Sequence, residues 1–298
     1  MNPPKKLTGY AWLSIAAALV TIGLKTAAWY VTGSVGLLSD AAESLVNLVA
    51  AIMALVALTI AAKPADHNHH YGHTKAEYFS ATIEGLMIFV AAAFILVSSI
   101  DRFFNPQALD NIGIGLGISL VAAAINGGVA VVLIRVGRRH RSITLVADGK
   151  HLLTDVWTSA GVVVGVLLVA LTGWTRLDAV IAFLVGVNIL VTGWRLITQS
   201  TAGFMDVSLP KDDNDRIKAI LASFTSNEVQ FHALRTREAG RLRFMSVHIL
   251  VPGRWTVQQG HDLTEDIADS LREEYPELRV TCHVEPIEDP RSYEDIGL

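Results

Sequence analysis

Cysteine is all but absent from this chain. Cys282 stands alone among 298 residues, which excludes an intramolecular disulfide framework and fits a reducing compartment for the segment that carries it. No GxxxxGK[ST] segment occurs, so ATP is not the expected energy source. No HExxH motif occurs either, which weakens a zinc-hydrolase reading. The apolar run that follows Lys5 and Lys6 has no small-residue cleavage site and is long enough to span a membrane; it reads as a retained helix rather than a signal peptide.

Charge is scarce where apolar residues dominate. The chain is 51% hydrophobic, with a mean hydropathy of +0.42, too apolar for an ordinary soluble protein. Residues 206–298 hold 11 Lys+Arg and 18 Asp+Glu, a net of −7, whereas residues 1–205 hold 13 and 10, a net of +3. This asymmetry predicts a membrane domain over 1–205, a soluble acidic domain over 206–290 and a short tail over 291–298. No nucleic-acid partner is expected of so acidic a soluble part.

Six apolar segments are long enough to cross about 30 Å of hydrocarbon, near 8–31, 36–62, 80–101, 111–135, 144–172 and 177–199. Three of the connections are short. The other two carry the basic residues, from Lys63 to Lys75 and in the run Arg135, Arg138, Arg139, His140, Arg141. Excess Lys and Arg mark the cytoplasmic side, so both termini are expected in the cytoplasm of a multi-pass protein in the lipid bilayer of the cell inner membrane. The predicted fold class is an α-helical membrane protein, with six transmembrane helices followed by a small cytoplasmic α+β domain of ferredoxin or metallochaperone-like type.

Two of the spans carry polar groups at one shared spacing. Asp40, Glu43 and Asn47 run i, i+3, i+7 on the second, and Asp148, His151 and Asp155 repeat that spacing on the fifth. Each set therefore lines one helix face. A charged side chain at the centre of a bilayer costs about 2.5–3.5 kcal/mol or more, so such groups pair, face water or bind something. Residues Ser34 to Asn47 align without gaps to Ser142 to Asp155, with serine, leucine and aspartate at matching places. The two spans cross in opposite directions, which makes this a weak inverted repeat of the kind that builds midplane transport sites. Glu43, Asn47, His151 and Asp155 together offer three oxygens and one imidazole nitrogen, a donor set that suits Zn²⁺. A more oxygen-rich environment leans toward Mn²⁺ or Fe²⁺. The alternative is a polar clamp that only joins helices. Asp40 and Asp148 are one turn away, either on the ion's pathway or near the membrane ends.

Two further clusters lie outside the spans. Asp66, His69 and His73 give a carboxylate and two imidazoles in the loop after the second span, with His67 and His70 as substitutes; a histidine-rich tract reads as metal binding. In the soluble domain, strands are expected at 229–238, 241–251 and 278–286 and helices at 211–223 and 257–275, with Arg237 to Arg241 as the hairpin turn. His232 and His248 lie on or near the first two strands, His261 begins the second helix, and His283 and Glu285 share one face of the last strand.

Taken together, these motifs resemble the cation diffusion facilitator family, and the bacterial zinc and ferrous-iron exporters in particular. The resemblance rests on Trp29-Tyr30-Val-Thr-Gly33-Ser34-Val35, on Pro64-Ala-Asp66-His-Asn-His69-His-Tyr-Gly72-His73-Thr-Lys75-Ala-Glu77, on His151-Leu-Leu-Thr-Asp155, on Phe204-Met205-Asp206 and on His232-Ala-Leu-Arg235-Thr-Arg237. It implies a homodimer that exchanges cytoplasmic divalent metal for protons. It also implies that Glu43, Asn47, His151 and Asp155 form the transport site and that Asp66, His69 and His73 form a loop site. His232, His248, His261, His283 and Glu285 would then hold structural or regulatory Zn²⁺ or another divalent ion, and Lys75 would form a charge interlock with Asp206. The substrate is expected to be Zn²⁺, with Fe²⁺, Mn²⁺, Co²⁺ and Cd²⁺ open. Two departures stand out: similar members carry aspartates where this chain has Glu43 and Asn47, and aspartate is usual where Glu285 stands. The other readings are a metal-sensing membrane protein without flux and an intramembrane metallo-hydrolase.

Overall fold

The computed structural model describes residues 7–32, 35–105, 112–174 and 176–294, with Asp40 and Glu43 described by their backbone alone. The chain divides into two compact units that meet between Thr201 and Ala202.

Among the described residues the first unit is built from six helices, the last ending just past the division: α1 (Thr8–Thr32), α2 (Val35–Ala61), α3 (Ala76–Phe104), α4 (Ile112–Arg139), α5 (Ile143–Thr172) and α6 (Arg176–Phe204). α1, α3, α4 and α6 each contain a stretch apolar and long enough to cross a membrane. α2 and α5 carry the polar groups, with Asp40, Glu43 and Asn47 on one and Asp148, Lys150, His151 and Asp155 on the other. Large apolar side chains such as Phe94, Val97 and Leu171 lie exposed on the outside of this unit. So much apolar surface is tolerable only against lipid or another protein.

Apolar helices gain little by burying more apolar surface within lipid, so they associate through small residues that let backbones approach. Two places show this. A Cβ on Gly193 of α6 would meet the Phe89 amide nitrogen of α3 at 2.8 Å, and one on Gly149 of α5 would meet Ile134 Cγ1 of α4 at 2.7 Å. α5 begins at Ser142, which caps it by accepting from the Leu145 amide, and ends at Gly173 in the left-handed conformation with φ 71°. Ser142 also donates to Glu77 of α3, and Thr144 Oγ1 donates to the Glu77 carbonyl at 3.2 Å, so α3 and α5 are joined at their first turns.

The second unit contains α7 (Lys211–Ser223), β1 (Gln230–Ala239), β2 (Leu242–Val251), α8 (Val257–Glu274), β3 (Leu278–Pro286) and a short 3-10 helix, Pro290–Tyr293. β1 and β2 form an antiparallel hairpin around Gly240, whose φ of 60° suits glycine. β2 and β3 run parallel, which requires a crossover, and α8 supplies it. α8 starts where Thr256 and Gln259 exchange side-chain and backbone hydrogen bonds in a capping box. Alternate residues of β2, namely Met245, Val247, Ile249 and Val251, pack on Ile217 and Leu221 of α7 and on Ile267 and Leu271 of α8. The intervening residues, His248 among them, therefore point to the opposite face. The sheet has three strands in the order β1-β2-β3 among the described residues, one fewer than the four of a full ferredoxin-like unit.

Candidate metal centres

Within the first unit, Asn47 of α2, Asn126 of α4, and His151 and Asp155 of α5 form one polar cluster. Asp155 Oδ2 accepts a hydrogen bond from Asn47 Nδ2 and another, at 3.1 Å, from Asn126 Nδ2. His151 Nε2 lies 2.9 Å from Asn47 Oδ1. The proton positions follow from these contacts. A carboxylate only accepts, so Asn47 must turn its NH₂ toward Asp155 and its carbonyl toward His151, and His151 must then donate from Nε2. Asn47, Asn126 and His151 are buried, and His151 Nδ1 has no hydrogen-bond partner. Asn47 thus donates to Asp155 while its carbonyl oxygen accepts from His151. A cation reaching this point would take Asn47 by its carbonyl oxygen alone, and would break the contact with His151.

Asn126 is the member that sequence reading missed. It is a single amide within an apolar helix, without a partner at helical spacing, and its one signal was that a polar side chain in hydrocarbon requires a reason. The side chains of Glu43 and Asp40 lie outside the described residues. Asp148 is fully buried and accepts from Ser14 Oγ of α1 at 3.1 Å.

The loop cluster closes locally. Asp66 Oδ1 accepts from the backbone amides of Asn68 and His69 at 3.0 and 2.8 Å and faces His69 Nδ1 at 3.2 Å, while Oδ2 lies 3.4 Å from His73 Nε2. Desolvation works against it, but the two amides and the His69 ring together hold the Asp66 carboxyl below the ordinary carboxylate range. Gly72, at φ 83°, makes the turn that returns His73 to Asp66. The rings of His69 and His73 are 4.3 Å apart, and one ligand atom from each of Asp66, His69 and His73 falls within 4.8 Å of the others. His67 and His70 are exposed and are not part of that group.

In the second unit the sheet register creates the site. His232 pairs with His248 across β1 and β2, and His248 pairs with His283 across β2 and β3, so the three imidazoles form a row over all three strands. Glu285 lies two residues beyond His283 and so shares its face. Glu285 Oε2 is 3.0 Å from His232 Nε2 and 3.2 Å from His248 Nδ1, and Oε1 is 3.4 Å from His283 Nδ1. One carboxylate thus faces three imidazoles, a donor set that suits a divalent metal of borderline softness. His232, His248 and Glu285 have ligand atoms within 4.8 Å of one another. A register shift follows His232, where Ala233 adopts φ 50°; this bulge was not legible, because alanine does not announce a left-handed conformation. His261 stands apart from the row. It lines an adjoining cavity of about 400 Å³ with Trp255, Cys282 and Glu285. Asp206 accepts from Arg237 at 2.9 Å within the second unit.

Residues 11–205 match the family model of the cation efflux transmembrane domain, and residues 209–287 match that of the cytoplasmic domain of cation efflux proteins. The chain is 51% identical to the transporter sll1263 of Synechocystis sp. over 96% of this chain and 92% of that one. It is 29% identical to the cation-efflux pump FieF of Serratia proteamaculans over 93% and 91%. The solved metal-bound C-terminal domain of the CzcD transporter from Thermotoga maritima is 30% identical and covers 28% of this chain and 99% of its own, with a TM-score of 0.25. This chain belongs to the cation diffusion facilitator family, a family of cation efflux transporters rather than enzymes.

Proposed function

We propose that this protein exports a divalent metal ion, Zn²⁺ foremost, from the cytoplasm in exchange for protons, working as a homodimer in the inner membrane with both termini inside. The observation that carries this reading is the convergence of Asn47, His151 and Asp155 in the middle of the helical unit. Glu43, on the same helix as Asn47, completes the proposed ligand set. Proton exchange has a chemical basis, because His151 and the carboxylates must give up protons to bind metal. In the same proposal the loop cluster holds a second ion, the histidine row holds structural ions, and Lys75 and Asp206 form a charge interlock. A metal sensor without flux would have the same clusters but would not move ions. Uptake by sealed vesicles containing the purified protein, across a panel of divalent ions and with and without a pH gradient, separates the two: no ion movement under any condition leaves only the sensor.

Two substitutions probe the ligand sets. Asn47→Asp removes the amide donor that now satisfies Asp155 and sets two carboxylates side by side. In a medium of low dielectric this repulsion is relieved by a divalent cation. The variant should bind metal at least about tenfold more tightly, the equivalent of roughly one pKa unit of added charge interaction, and release it more slowly. Equal affinity and equal ion preference in equilibrium titrations would remove Asn47 from the ligand set. Replacing His69 and His73 together by alanine should lower the number of ions bound per chain, measured by elemental analysis, while part of the transport remains. An undiminished metal count would mean that the loop is only histidine-rich.

A further inference from the structure

We propose that Asn126 of α4 is an ion-selecting residue of the membrane cluster: its side-chain carbonyl oxygen turns to the cation and adds one oxygen to the donors of α2 and α5, which brings Mn²⁺ and Fe²⁺ within the range of ions carried beside Zn²⁺. The proposal rests on the transport reading above.

Asn126 stands on the buried stripe of α4. Ala122, Asn126, Ala130, Leu133 and Gly137 follow one another at helical spacing and are all buried. Asn126 is the one polar side chain among them, at 2% exposure. A polar group in a membrane helix is expensive and marks a function by default. Close packing holds it against α5. A Cβ on Gly137 would meet the Val146 amide nitrogen at 2.9 Å, one on Gly149 the Ala130 carbonyl oxygen at 3.0 Å, and one on Gly127 Val156 Cγ2 at 3.5 Å. Contact thus runs along the two helices in opposite directions and delivers Asn126 beside Asp155.

The hydrogen bonding of Asn126 is half used. Its Nδ2 donates to Asp155 Oδ2 at 3.1 Å, since a carboxylate only accepts. Its Oδ1 is buried and has no hydrogen-bond partner. An amide kept only to join α4 to α5 would leave that acceptor unmet, which is unfavourable. His151 Nδ1 is in the same position. Nε2 faces the Asn47 carbonyl and donates to it, so Nδ1 presents a bare lone pair, and it too has no partner. One buried cluster therefore holds two lone-pair atoms without a donor, next to a carboxylate. A cation supplies what all three lack.

The amide is also held at one end only. Its last torsion is broad and roughly twofold. A half-turn releases the one hydrogen bond and sets Oδ1 where Nδ2 now stands, at the present spacing from Asp155 Oδ2. Two oxygens each about 2.1 Å from one ion lie roughly 3.0 Å apart at right angles and roughly 3.4 Å apart in a tetrahedron. The 3.1 Å seen here fits the right-angled arrangement. Glu43, Asn47, His151 and Asp155 offer the four donors that Zn²⁺ takes. With Asn126 the set becomes richer in oxygen and exceeds four, which favours Mn²⁺ and Fe²⁺.

Equilibrium binding to the full-length protein in detergent tests this, on a background in which His69, His73, His232 and His248 are replaced by alanine to silence the other two metal clusters. Asn126→Leu should weaken Mn²⁺ binding by about 10–100-fold, the usual loss when a partner at a metal site is removed, and Zn²⁺ binding by much less. Asn126→Asp, which keeps an oxygen at the same place, should retain Mn²⁺ binding. Co²⁺ reports the donor number, because its visible bands are intense with four donors and weaker with more. They should intensify in Asn126→Leu. Equal losses for Mn²⁺ and Zn²⁺ with an unchanged Co²⁺ spectrum would mean that Asn126 only steadies the helices and would overturn the proposal, as would no loss for either ion. If leucine prevents folding, the Co²⁺ spectrum of the unsubstituted Asn126 protein decides: a four-donor spectrum overturns the proposal, and a spectrum of higher coordination upholds it. Should the wild type in liposomes move no ion, the transport reading falls; the ratio of Mn²⁺ to Zn²⁺ affinity is measured without flux and still decides the role of Asn126.

Discussion

Asp155→Ala is expected to abolish metal flux. In the resting cluster Asp155 is the common acceptor of Asn47 and Asn126, and its removal leaves two amide NH₂ groups facing one another without an acceptor. Leaving buried donors unpaired costs about 1–3 kcal/mol, and the ion also loses its anionic ligand. Even outer partners of metal ligands are worth about 10–100-fold in affinity, so loss of a ligand should exceed that. Vesicle uptake should fall to the level of empty liposomes, while the C-terminal domain keeps its melting temperature. Asp155→Asn, which keeps the volume but not the charge, should fail as well. Flux at the wild-type rate in either variant would dismantle the assignment of this cluster as the transport site.

The second large effect is expected in the C-terminal domain. Its segment carries a net charge of −7, so two copies brought together repel each other, and divalent cations on the histidine row would offset that repulsion. A ligand bound only by the folded form stabilises by about 2.7 kcal/mol at a hundredfold excess over Kd. For a domain of this size that corresponds to a rise in melting temperature on the order of 10 °C. Residues 206–298, expressed alone, should show this rise with Zn²⁺, and His232→Ala with His248→Ala should lose it. The same rise in both proteins would place the ion elsewhere. No rise in either would remove the row from the metal sites altogether.

Much of this architecture can be read from sequence because its determinants are long-range in pattern but local in chain. The six spans follow from hydropathy, and the helices differ from the expected ranges mainly at their ends, as α3 does in starting at Ala76 and α6 in ending at Phe204. The C-terminal elements follow from alternation and from the Thr256 cap. The side-chain partners were less legible. Asn126 stands alone on a helix with no periodic polar face, so its meaning depends on what α5 brings to it. The row of His232, His248 and His283 needed the strand register, which alternation fixes by face but not by position. Glu285 could be placed on the face of His283 by counting two residues; that it reaches His232 on the far strand could not.

The parallel pairing of β2 and β3 gives that row a mechanical meaning. The segment from His232 to His248 is the hairpin, and the segment from His248 to Glu285 contains the whole of α8. An ion gripped by all three residues would close both segments at once, as a removable crosslink does. Bringing such distant residues together costs chain entropy that no single segment can recover by itself. Fraying of α8 or opening of the hairpin would then require the ion to leave first. Amide hydrogen exchange in both segments would slow together as metal is added, and the free ion concentration in the surrounding compartment would set how often this domain opens.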